Sequence, residues 1–393
     1  MRFFHRVLPF FAALVALTVA AFFIFWPWWA LLPSHPQSKD VVLIAARVVA
    51  WRWRILPLCF AACVRALIAR RYSIGIWLVA FLTAACWPLM LVNPFEQNSK
   101  PLPSPKFVST WESEMDGNER VLAITVRGQS RAYPLRVLAY HQIVNDTIDW
   151  VAVVATYSPM SHSARVWSRN LGGLILEFHL AGYVNQNPVM QEAKTGSWWQ
   201  QGIGRAIAGR MQGKRLGLIH SDEMTLRQWK VEQPGGTLLV PDPAFEQLYA
   251  KDWTADAAST PAVIGFDDDS GLVSRDIVVG ARIKDDPRAF RYEALRKARL
   301  VMEALGGSIV LLVTGPDGET VRGWKLPAGT LAFTRLPDEG DGTGPVMTDS
   351  DGQRWNFHGC NQDGFCLEPL DLVKEYWFEW RSVNTESTVS GLR

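Results

Sequence analysis

The feature that most constrains this chain is a run without a charged residue at positions 7–32. At about 1.5 Å per residue, a helix of that length crosses a hydrocarbon core of about 30 Å. A cleaved signal peptide is the alternative interpretation, because Arg2 and Arg6 precede the run and residues 19–21 resemble a cleavage site. Trp26, Trp28 and Trp29 favour a retained helix, since indole rings prefer the membrane interface.

A second uncharged stretch covers residues 74–92 and predicts another span. The segment between the two is apolar but carries arginines, and helical periodicity places three of them on one side: Arg47, Arg54 and Arg65. This pattern is typical of an amphipathic helix lying among lipid headgroups, although we expect Pro57 to interrupt it. A third span within residues 55–69 is the alternative, at the cost of placing Arg65 in the membrane.

The charge distribution separates the membrane region from the rest of the chain. Residues 1–99 contain nine Lys or Arg and two acidic residues, whereas the whole 393-residue chain has a net charge of only +2. The positive-inside rule then places residues 94–393 outside the cytoplasm, whether the chain has two spans or three. We therefore predict a multi-pass protein of the cell (inner) membrane with a periplasmic, extracytoplasmic C-terminal domain. The lipid bilayer is its predicted partner, and the weak net charge argues against nucleic acid.

The region after the membrane segment contains an internal repeat. Residues 121–138 align with residues 278–295 at a constant offset of 157, and the matches continue downstream with a slowly drifting offset. The matched pairs include Arg131 and Arg288, Tyr133 and Phe290, Trp167 and Trp324, Trp199 and Trp355, and Trp229 and Trp380. An ordered series of this kind indicates two copies of one module.

The predicted fold class is α+β and β-rich, with N-terminal transmembrane helices followed by a duplicated, mostly antiparallel module. The predicted domains are a membrane region at 1–93, a linker at 94–118, a first repeat at 119–240, a connection at 241–274 and a second repeat at 275–390. Short helices are predicted at residues 135–144, 223–231, 292–305 and 370–381. A pseudo-twofold relation between the copies would make the cleft between them a natural ligand site.

Several stretches resemble the bacterial domain-of-unknown-function family numbered 3179. They are residues 131–147 (RAYPLRVLAYHQIVNDT), 185–200 (NQNPVMQEAKTGSWWQ) and 206–213 (AIAGRMQG), and the resemblance covers residues 117–388. The resemblance implies no established activity. In most relatives the strand after the first stretch continues as Tyr-Cys-Pro-Leu-Cys-Gly, whereas residues 157–162 read YSPMSH here. Thiol chemistry is therefore not carried over to Ser158 and Ser161.

The candidate ligand-binding residues surround these stretches. His141 and Asn145 are four residues apart on a predicted helix and would share one face, with Asp146 beside them. The functional interpretation is a proton-handling pair at the mouth of a cleft, and the structural alternative is a hydrogen-bond network at the end of the helix. The full candidate set is His141, Asn145, Asp146, Tyr157, Ser158, Ser161, Ser197 and Gln200. No catalytic residue is assigned, and the absence of a Gly-x-Ser-x-Gly elbow disfavours a serine hydrolase.

The cysteines divide between the two regions. Cys59, Cys63 and Cys86 lie in the membrane region, where a thiol usually behaves as a small apolar group. Cys360 and Cys366 are candidates for a disulfide in an oxidising compartment. His358 adds a third soft ligand nearby, but the irregular spacing argues against a metal site. The acidic run Asp267, Asp268 and Asp269 is interpreted as a solvated loop.

The residues therefore predict a membrane-anchored extracytoplasmic protein that binds a small-molecule or protein ligand through a pocket in the duplicated domain. The alternative is an enzyme of thiol-redox ancestry with altered or lost catalytic cysteines. The chain contains no Walker loop, no Gly-x-Gly-x-x-Gly after a strand and no His-Glu-x-x-His, so the sequence specifies no cofactor.

Overall fold

The computed structural model describes residues 2–69, 73–102, 104–266, 270–327, 332–338 and 344–392. Arg70 and Arg71, at the end of the basic segment, and the acidic run at 267–269 lie outside these residues. The chain forms two compact units. Unit 1 contains Met1–Lys100, His179–Gln200 and Arg205–Arg215, and unit 2 contains Pro101–Phe178, Gln201–Gly204 and Leu216–Arg393.

The helices are α1 (Arg2–Ala30), α2 (Lys39–Ala69), α3 (Ile74–Leu89), α4 (Pro94–Asn98), α5 (Leu135–His141), α6 (Leu226–Glu232), α7 (Glu246–Tyr249), α8 (Trp253–Ser259), α9 (Tyr292–Ala298) and α10 (Trp377–Val383). Two 3₁₀ turns lie at Thr110–Glu112 and Pro243–Phe245. The observed combination of these helices with many short strands confirms the α+β class.

The strands up to the middle of the chain are β1 (Phe107–Ser109), β2 (Arg120–Val126), β3 (Gln129–Pro134), β4 (Ile143–Ile148), β5 (Val151–Ser158), β6 (Ser163–Ser168), β7 (Asn170–Leu171), β8 (Leu174–Ile175), β9 (Phe178–Val184), β10 (Asn187–Glu192), β11 (Trp198–Gln200), β12 (Arg205–Ala208), β13 (Leu218–Ile219), β14 (Ser221–Thr225) and β15 (Thr237–Leu239). The remaining strands are β16 (Ile277–Ile283), β17 (Asp286–Arg291), β18 (Leu300–Leu305), β19 (Ser308–Thr314), β20 (Val321–Leu326), β21 (Phe333–Arg335), β22 (Met347–Asp349), β23 (Arg354–Trp355), β24 (Glu368–Leu370), β25 (Leu372–Tyr376) and β26 (Thr388–Val389).

Unit 1 is built on three long helices. Within the part of the chain that the structure describes, only the segment Val7–Ala30 of α1 is long and apolar enough to cross a membrane. An anchor and an N-terminal signal sequence both satisfy this criterion. Helix α3 has 16 residues and spans about 24 Å, which is less than the hydrocarbon core. Helix α2 continues through Pro57, so the predicted interruption was wrong; a single lost hydrogen bond is tolerated where neighbouring helices support the backbone.

The helices of unit 1 pack through small side chains. Their shared core contains Ala13, Ala16, Ala20, Cys59, Cys63, Ala66, Ala80 and Cys86 together with a few larger residues. Large apolar side chains point outward instead, including Phe11, Phe25, Trp51, Trp53, Leu58, Ile68, Trp77 and Phe81. Unit 1 also holds the sheet β12-β11-β10-β9. Gly182 of β9 lies so close to α1 that a Cβ there would be 2.6 Å from the Cβ of Leu31, and its φ of +144° also favours glycine.

Unit 2 is dominated by four sheets, with strand orders β1-β15-β3-β2-β14, β13-β6-β5-β4, β25-β16-β17-β26 and β18-β19-β20-β24. Most neighbouring strands are antiparallel, while β15 with β3 and β26 with β17 are parallel. Smaller sheets are β21-β22-β23 and β7-β8. Apolar residues from the hairpins and from the helix after each hairpin form the cores of the two halves.

The first half of the region (residues 119–240) and the second half (residues 275–390) have matching strand registers. Val121 pairs with Pro134, and Val278 pairs with Arg291. Ile143 pairs with Thr156, and Leu300 pairs with Val313. In both comparisons, the two paired residues of the second half stand 157 positions after the two paired residues of the first half. This is the offset found in the sequence.

The predicted helices are shorter in the structure or shifted along the chain. The helix expected at 135–144 ends at His141 because Gln142 adopts a left-handed conformation with φ 59°. The helix expected at 292–305 likewise ends before Arg299, whose φ is 65°. The helices expected at 223–231 and 370–381 begin later, since strands β14 and β25 occupy their first positions. Part of the expected linker at 94–118 is helix α4.

Candidate functional site

His141 and Asn145 do not share a helix face, which corrects the prediction. His141 is the last residue of α5, and its Nε2 lies 2.7 Å from the Tyr249 Oη in an aromatic surrounding. Asn145 lies on β4, where its side chain donates to the carbonyl of Phe178 at 2.7 Å and accepts from the Phe178 N–H at 3.0 Å. Both side chains therefore contact elements that are distant in the sequence, His141 through Tyr249 of α7 and Asn145 through Phe178 of β9.

Asp146 forms a buried ion pair. Its Oδ2 accepts hydrogen bonds from the Arg131 guanidinium at 2.5 Å and from the Tyr133 hydroxyl at 2.6 Å. In the second half, Arg288 and Glu303 pair in the same way at positions that are 157 residues later. An ion pair that recurs at both sites fits a role in joining strands β3 and β4, or β17 and β18, within each half.

The Ser158 and Ser161 hydroxyls are engaged within their own loop. The Ser161 N–H donates to the Ser158 Oγ at 3.2 Å, and the Ser161 Oγ lies 3.2 Å from the Ser163 Oγ. The Ser163 hydroxyl in turn donates to Gln201 Oε1 at 2.9 Å. All of these serines are fully buried. Tyr157 leads into the loop, and its Oη lies 3.3 Å from His162 Nδ1.

Ser197 and Gln200 lie in unit 1, whereas the other candidate residues lie in unit 2. The Ser197 N–H donates to Glu192 Oε1 at 3.1 Å, and its Oγ accepts from the Met211 N–H at 3.1 Å. Gln200 is a strand residue of β11 that faces Val189 and Arg205. Trp199 is fully buried, consistent with the expected core role of its ring.

The sequence analysis missed a group of titratable side chains in unit 2, which we call the charge cluster: Arg120, which is partly exposed, and His162, Glu223 and Lys374, which are mostly buried. Glu223 Oε1 accepts from Lys374 Nζ at 2.9 Å and from Arg120 Nη1 at 3.2 Å. His162 Nε2 lies 4.0 Å from the same oxygen. The side chains of His162, Glu223 and Lys374 are at most 11% exposed. The available signal was that Glu223 and Lys374 occupy equivalent positions in the alignment that matches Trp229 with Trp380.

The charges in the cluster are fixed by its geometry. Burial disfavours the ionised form of Glu223, but the adjacent Lys374 and Arg120 outweigh this effect and lower its pKa to about 2. Burial also lowers the pKa of His162 to about 4, so its imidazole is neutral near pH 7. Burial lowers the pKa of Lys374, and Glu223 opposes that change. The result is an ionised carboxylate beside a neutral imidazole.

Two atoms of the charge cluster have unused hydrogen-bonding capacity. Glu223 Oε2 and His162 Nε2 are buried and make no hydrogen bond to any residue in the described ranges. Leaving a buried polar atom without a hydrogen-bond partner costs about 1–3 kcal/mol of stability, and the cost is higher for a charged group such as a carboxylate. A buried polar atom that makes no hydrogen bond within the protein usually contacts a ligand or a water molecule.

Glu223 and Lys374 line a cleft between the two halves of unit 2, which we call the junction cleft and which has a volume of about 290 Å³. Its charged lining residues are Arg165, Asp222, Glu223, Glu232, Glu319, Arg322, Asp371 and Lys374, together with His220 and His358. Arg322 of β20 donates to Asp222 at 2.7 Å and to Glu232 at 2.8 Å. Here an arginine of the second half contacts carboxylates of the first half. Conversely, Arg165 of β6, in the first half, pairs with Glu375 of β25, in the second half, at 2.5 Å.

The second cleft of unit 2, with a volume of about 620 Å³, includes Tyr157 and Arg120 in its lining. Thus, among the predicted candidates in unit 2, Tyr157 lines a cleft and contacts the charge cluster through His162. His141, Asn145, Asp146, Ser158 and Ser161 line neither of the two clefts. The charge cluster and the junction cleft therefore form a candidate site that lies apart from most of the predicted residues.

The structure joins Cys360 and Cys366 by a disulfide, in a loop that also carries His358. Cys59, Cys63 and Cys86 are free thiols buried among the helices of unit 1. No group of three or more His, Cys, Asp or Glu side chains in the described part of the chain is arranged to hold a metal ion.

A family model described as "Protein of unknown function (DUF3179)" matches residues 101–387. This range includes all of the strands of unit 2 except the last, β26, which begins at Thr388. No curated protein and no solved structure matches the chain.

Proposed function

This chain belongs to the DUF3179 family of proteins of unknown function, and we propose that it is a membrane-anchored extracytoplasmic protein that binds a small ligand in the junction cleft. The observation that carries this proposal is the buried carboxylate oxygen Glu223 Oε2, which makes no hydrogen bond within the described ranges and belongs to a residue that lines the cleft. Buried ion pairs contribute little net stability compared with apolar packing. A charge cluster that is also incompletely paired, beside a cleft, is better explained by ligand binding than by stability.

We further propose that the two halves arose by duplication and are related by a pseudo-twofold axis through the junction cleft. The identical strand registers at an offset of 157 support the duplication. Reciprocal contacts support the axis. Arg165 and Arg322 stand at equivalent positions, and each forms an ion pair with the opposite half, with Glu375 and with Asp222 respectively.

Two backbone N–H groups also donate across the junction in a reciprocal pattern. The Tyr376 N–H donates to the Ser161 carbonyl, and the Thr225 N–H donates to Asp317 Oδ2. Thr225 and Tyr376 are the last residues of β14 and β25, and they stand immediately before α6 and α10. A twofold axis brings equivalent positions together, which explains why Glu223 and Lys374 face each other across the cleft.

Helices α1, α2 and α3 form the membrane domain in this proposal, which gives three spans rather than two. The helices of unit 1 pack through Ala and Cys and expose Phe, Trp, Leu and Ile. Water-soluble helix bundles show the opposite arrangement, whereas close packing through small residues is typical of helices in lipid. Because Cys63 of α2 packs against α1 and α3, the three helices share one depth.

Reporter fusions test this membrane topology. Alkaline phosphatase fused after Gln37 and after Arg393 should be active in both cases if three helices cross the bilayer. With two spans and an interfacial α2, only the fusion after Arg393 would be active. An inactive fusion after Arg393 would contradict the extracytoplasmic location itself.

A cleft-blocking variant tests ligand binding. Leu218 lines the junction cleft and is 46% exposed, so Leu218→Trp should narrow the cleft without disturbing the fold. Ile175→Trp is the matched control, since Ile175 is 40% exposed on another two-residue strand and lies outside the cleft. Thermal unfolding of the full chain is measured with a panel of cationic, neutral and anionic small molecules. At least one compound should stabilise the wild type and Ile175→Trp but not Leu218→Trp.

The proposal fails if no compound stabilises the wild type, or if every stabilising compound acts equally on Leu218→Trp. The alternative, an enzyme of thiol-redox ancestry, has no comparable support. The Ser158 and Ser161 hydroxyls are engaged in loop hydrogen bonds, and a serine hydroxyl lacks the thiolate that such chemistry needs.

A further inference from the structure

We infer that the ligand of the junction cleft is a small organic cation that carries an ammonium group. This inference rests on the proposed function and adds the chemical class of the ligand. Its basis is the set of carboxylates that the arginines and the lysine of the cleft lining leave without a cationic partner.

The cations that line the cleft are already paired with carboxylates. Lys374 is bound to Glu223 at 2.9 Å, and Arg165 is bound to Glu375 at 2.5 Å. Arg322 alone serves two carboxylates, at 2.7 Å and 2.8 Å. An anionic ligand would therefore find no free cation in the lining and would have to break one of these pairs.

The acceptors of the cleft are in excess. Asp222, Glu232 and Asp371 line it, and the single guanidinium of Arg322 neutralises only one of these three charges. Glu319 is neutralised from outside the cleft by Arg296 at 3.0 Å. Asp222, Glu232 and Asp371 thus keep about two negative charges that the arginines and the lysine of the lining do not neutralise. A ligand that carries positive charge is attracted to such a site.

Glu223, in the lining of the cleft, supplies a specific acceptor. The Glu223 side chain is 7% exposed, and its Oε2 makes no hydrogen bond within the described ranges although Glu223 lines the cleft. A charged N–H donor placed there forms a charge-assisted hydrogen bond, which is about twice as strong as a neutral one. An ammonium is favoured over a metal ion, because the described residues contain no arrangement of ligands that would hold a metal.

His220 makes the binding of a cation dependent on pH. Its Nδ1 lies 3.1 Å from Asp371, its Nε2 lies 3.6 Å from Asp222, and Arg322 is close enough to act on it. The hydrogen bond with Asp371 raises the pKa of His220, while burial and Arg322 oppose this effect. A protonated His220 neutralises one carboxylate of the cleft. The affinity for a cation should therefore rise as the pH rises and His220 loses its proton.

Calorimetric titration of the full chain in detergent with three probes of similar size tests the inference. The probes are 1,4-diaminobutane, 1,4-butanediol and succinate. We expect saturable binding of the diamine alone, with an affinity that increases between about pH 6 and about pH 8. His220→Asn should remove most of that pH dependence.

Two carboxylate variants locate the site. Asp371→Asn removes an exposed charge that lines the cleft and should weaken binding of the diamine by roughly fivefold. Glu368→Gln is the matched control, because Glu368 has the same 65% side-chain exposure but lies outside the lining. Equal effects of the two variants would show that the diamine binds by general surface attraction and would overturn the inference.

The outcomes separate this inference from the proposed function. If the diol or succinate binds and Leu218→Trp abolishes that binding, the cleft is a ligand site but the ligand class is wrong. If none of the three probes binds but a compound of the panel still stabilises the wild type and not Leu218→Trp, the inference fails and the proposed function stands. If Leu218→Trp changes nothing for any compound, both fail.

Discussion

The loop after β5 and the loop after β19 occupy equivalent places in the two halves of unit 2 but carry different chemistry. The first, at residues 158–163, contains hydroxyls and the buried imidazole of His162. The second, at residues 315–320, contains Asp317, which caps its own turn and accepts from Thr225, and Glu319, which pairs with Arg296. The two equivalent loops thus carry the neutral imidazole of His162 in one half and the carboxylates of Asp317 and Glu319 in the other.

This difference teaches that the halves share the strand registers of their hairpins, whereas the charges of the candidate site lie at positions where the residues differ. Arg131 with Asp146 and Arg288 with Glu303 are nearly interchangeable pairs. Glu223 and Lys374, by contrast, are equivalent positions with opposite charges that bind each other. The pairs that match between the halves join strands within each half, and the pair of opposite charges joins the two halves at the junction cleft.

The largest expected effect comes from breaking the pair of opposite charges. Lys374→Met leaves Glu223 buried with only Arg120 as its cationic partner, and should lower the free energy of unfolding by about 3–5 kcal/mol. Lys325→Met is the control, since Lys325 pairs with the exposed Glu368 and should change stability by less than about 1 kcal/mol. Thermal and urea unfolding of the full chain measure both. Equal losses would show that burial of the pair is unimportant.

A second prediction concerns Glu379, which occupies the position equivalent to Gln228 of the first half. Burial, together with the nearby Glu375, raises the pKa of Glu379 to about 8, so the folded state holds a proton that the unfolded state releases. Its contribution to stability is complete below about pH 4.5 and is lost as the pH rises through about 8. The expected loss between about pH 5 and about pH 8 is about 3.5 kcal/mol.

Glu379→Gln makes the two halves alike at this position and should flatten the stability profile between about pH 5 and about pH 8. Unfolding midpoints across that range measure the effect. Glu293→Gln, an exposed substitution on α9, is the control and should leave the profile unchanged. An unaltered profile in Glu379→Gln would mean that another group takes up the proton.

A third prediction concerns His162, whose counterpart in the second half is Glu319. Because burial lowers the pKa of His162 to about 4, the unfolded state binds a proton first as the pH falls. Stability should therefore fall between about pH 6.5 and about pH 4, by about 2–3 kcal/mol. His162→Gln should remove this acid sensitivity, whereas His220→Gln, at the exposed mouth of the cleft, should not. Acid sensitivity that persists in His162→Gln would contradict the assignment.

The smallest effect is expected at two equivalent hairpin tips. Asp149 and Trp150 both have positive φ, at 43° and 65°, and Trp150 is 90% exposed. The equivalent residues of the second half are Gly306 and Gly307, which adopt such angles without strain. Replacing Asp149 and Trp150 with glycines should raise the free energy of unfolding by about 1 kcal/mol. A Cβ at Gly307 would meet no atom within 4 Å, so Gly307→Trp should cost a similar amount through its positive φ alone.

Parts of the fold were readable from the sequence because they depend on local patterns. The hairpin of β2 and β3 and that of β5 and β6 follow from alternating apolar residues around turns. The helix ends were not readable, since Gln142 and Arg299 stop their helices through a left-handed backbone that these residue types do not announce. The prediction that one helix carries both His141 and Asn145 was therefore wrong.

The charge cluster could not be found by spacing along the chain, because its members come from separate strands and loops. Arg120 is on β2, His162 follows β5, Glu223 is on β14 and Lys374 is on β25. Only the alignment of the halves indicated Glu223 and Lys374, because it places residues of opposite charge at equivalent positions. Their separation of 2.9 Å depends on how the halves pack.

The sequence by itself determined the apolar N-terminal helix, the α+β class and membership in the family, because these depend on composition, periodicity and ordered motifs that lie along the chain. The tertiary structure decided which charges meet. Burial and distance set the pKa values of His162 and Glu223 and left Glu223 Oε2 without a donor beside a cleft. Electrostatic and hydrogen-bond energies depend on separation and solvent exposure, and neither quantity is fixed until the chain has folded.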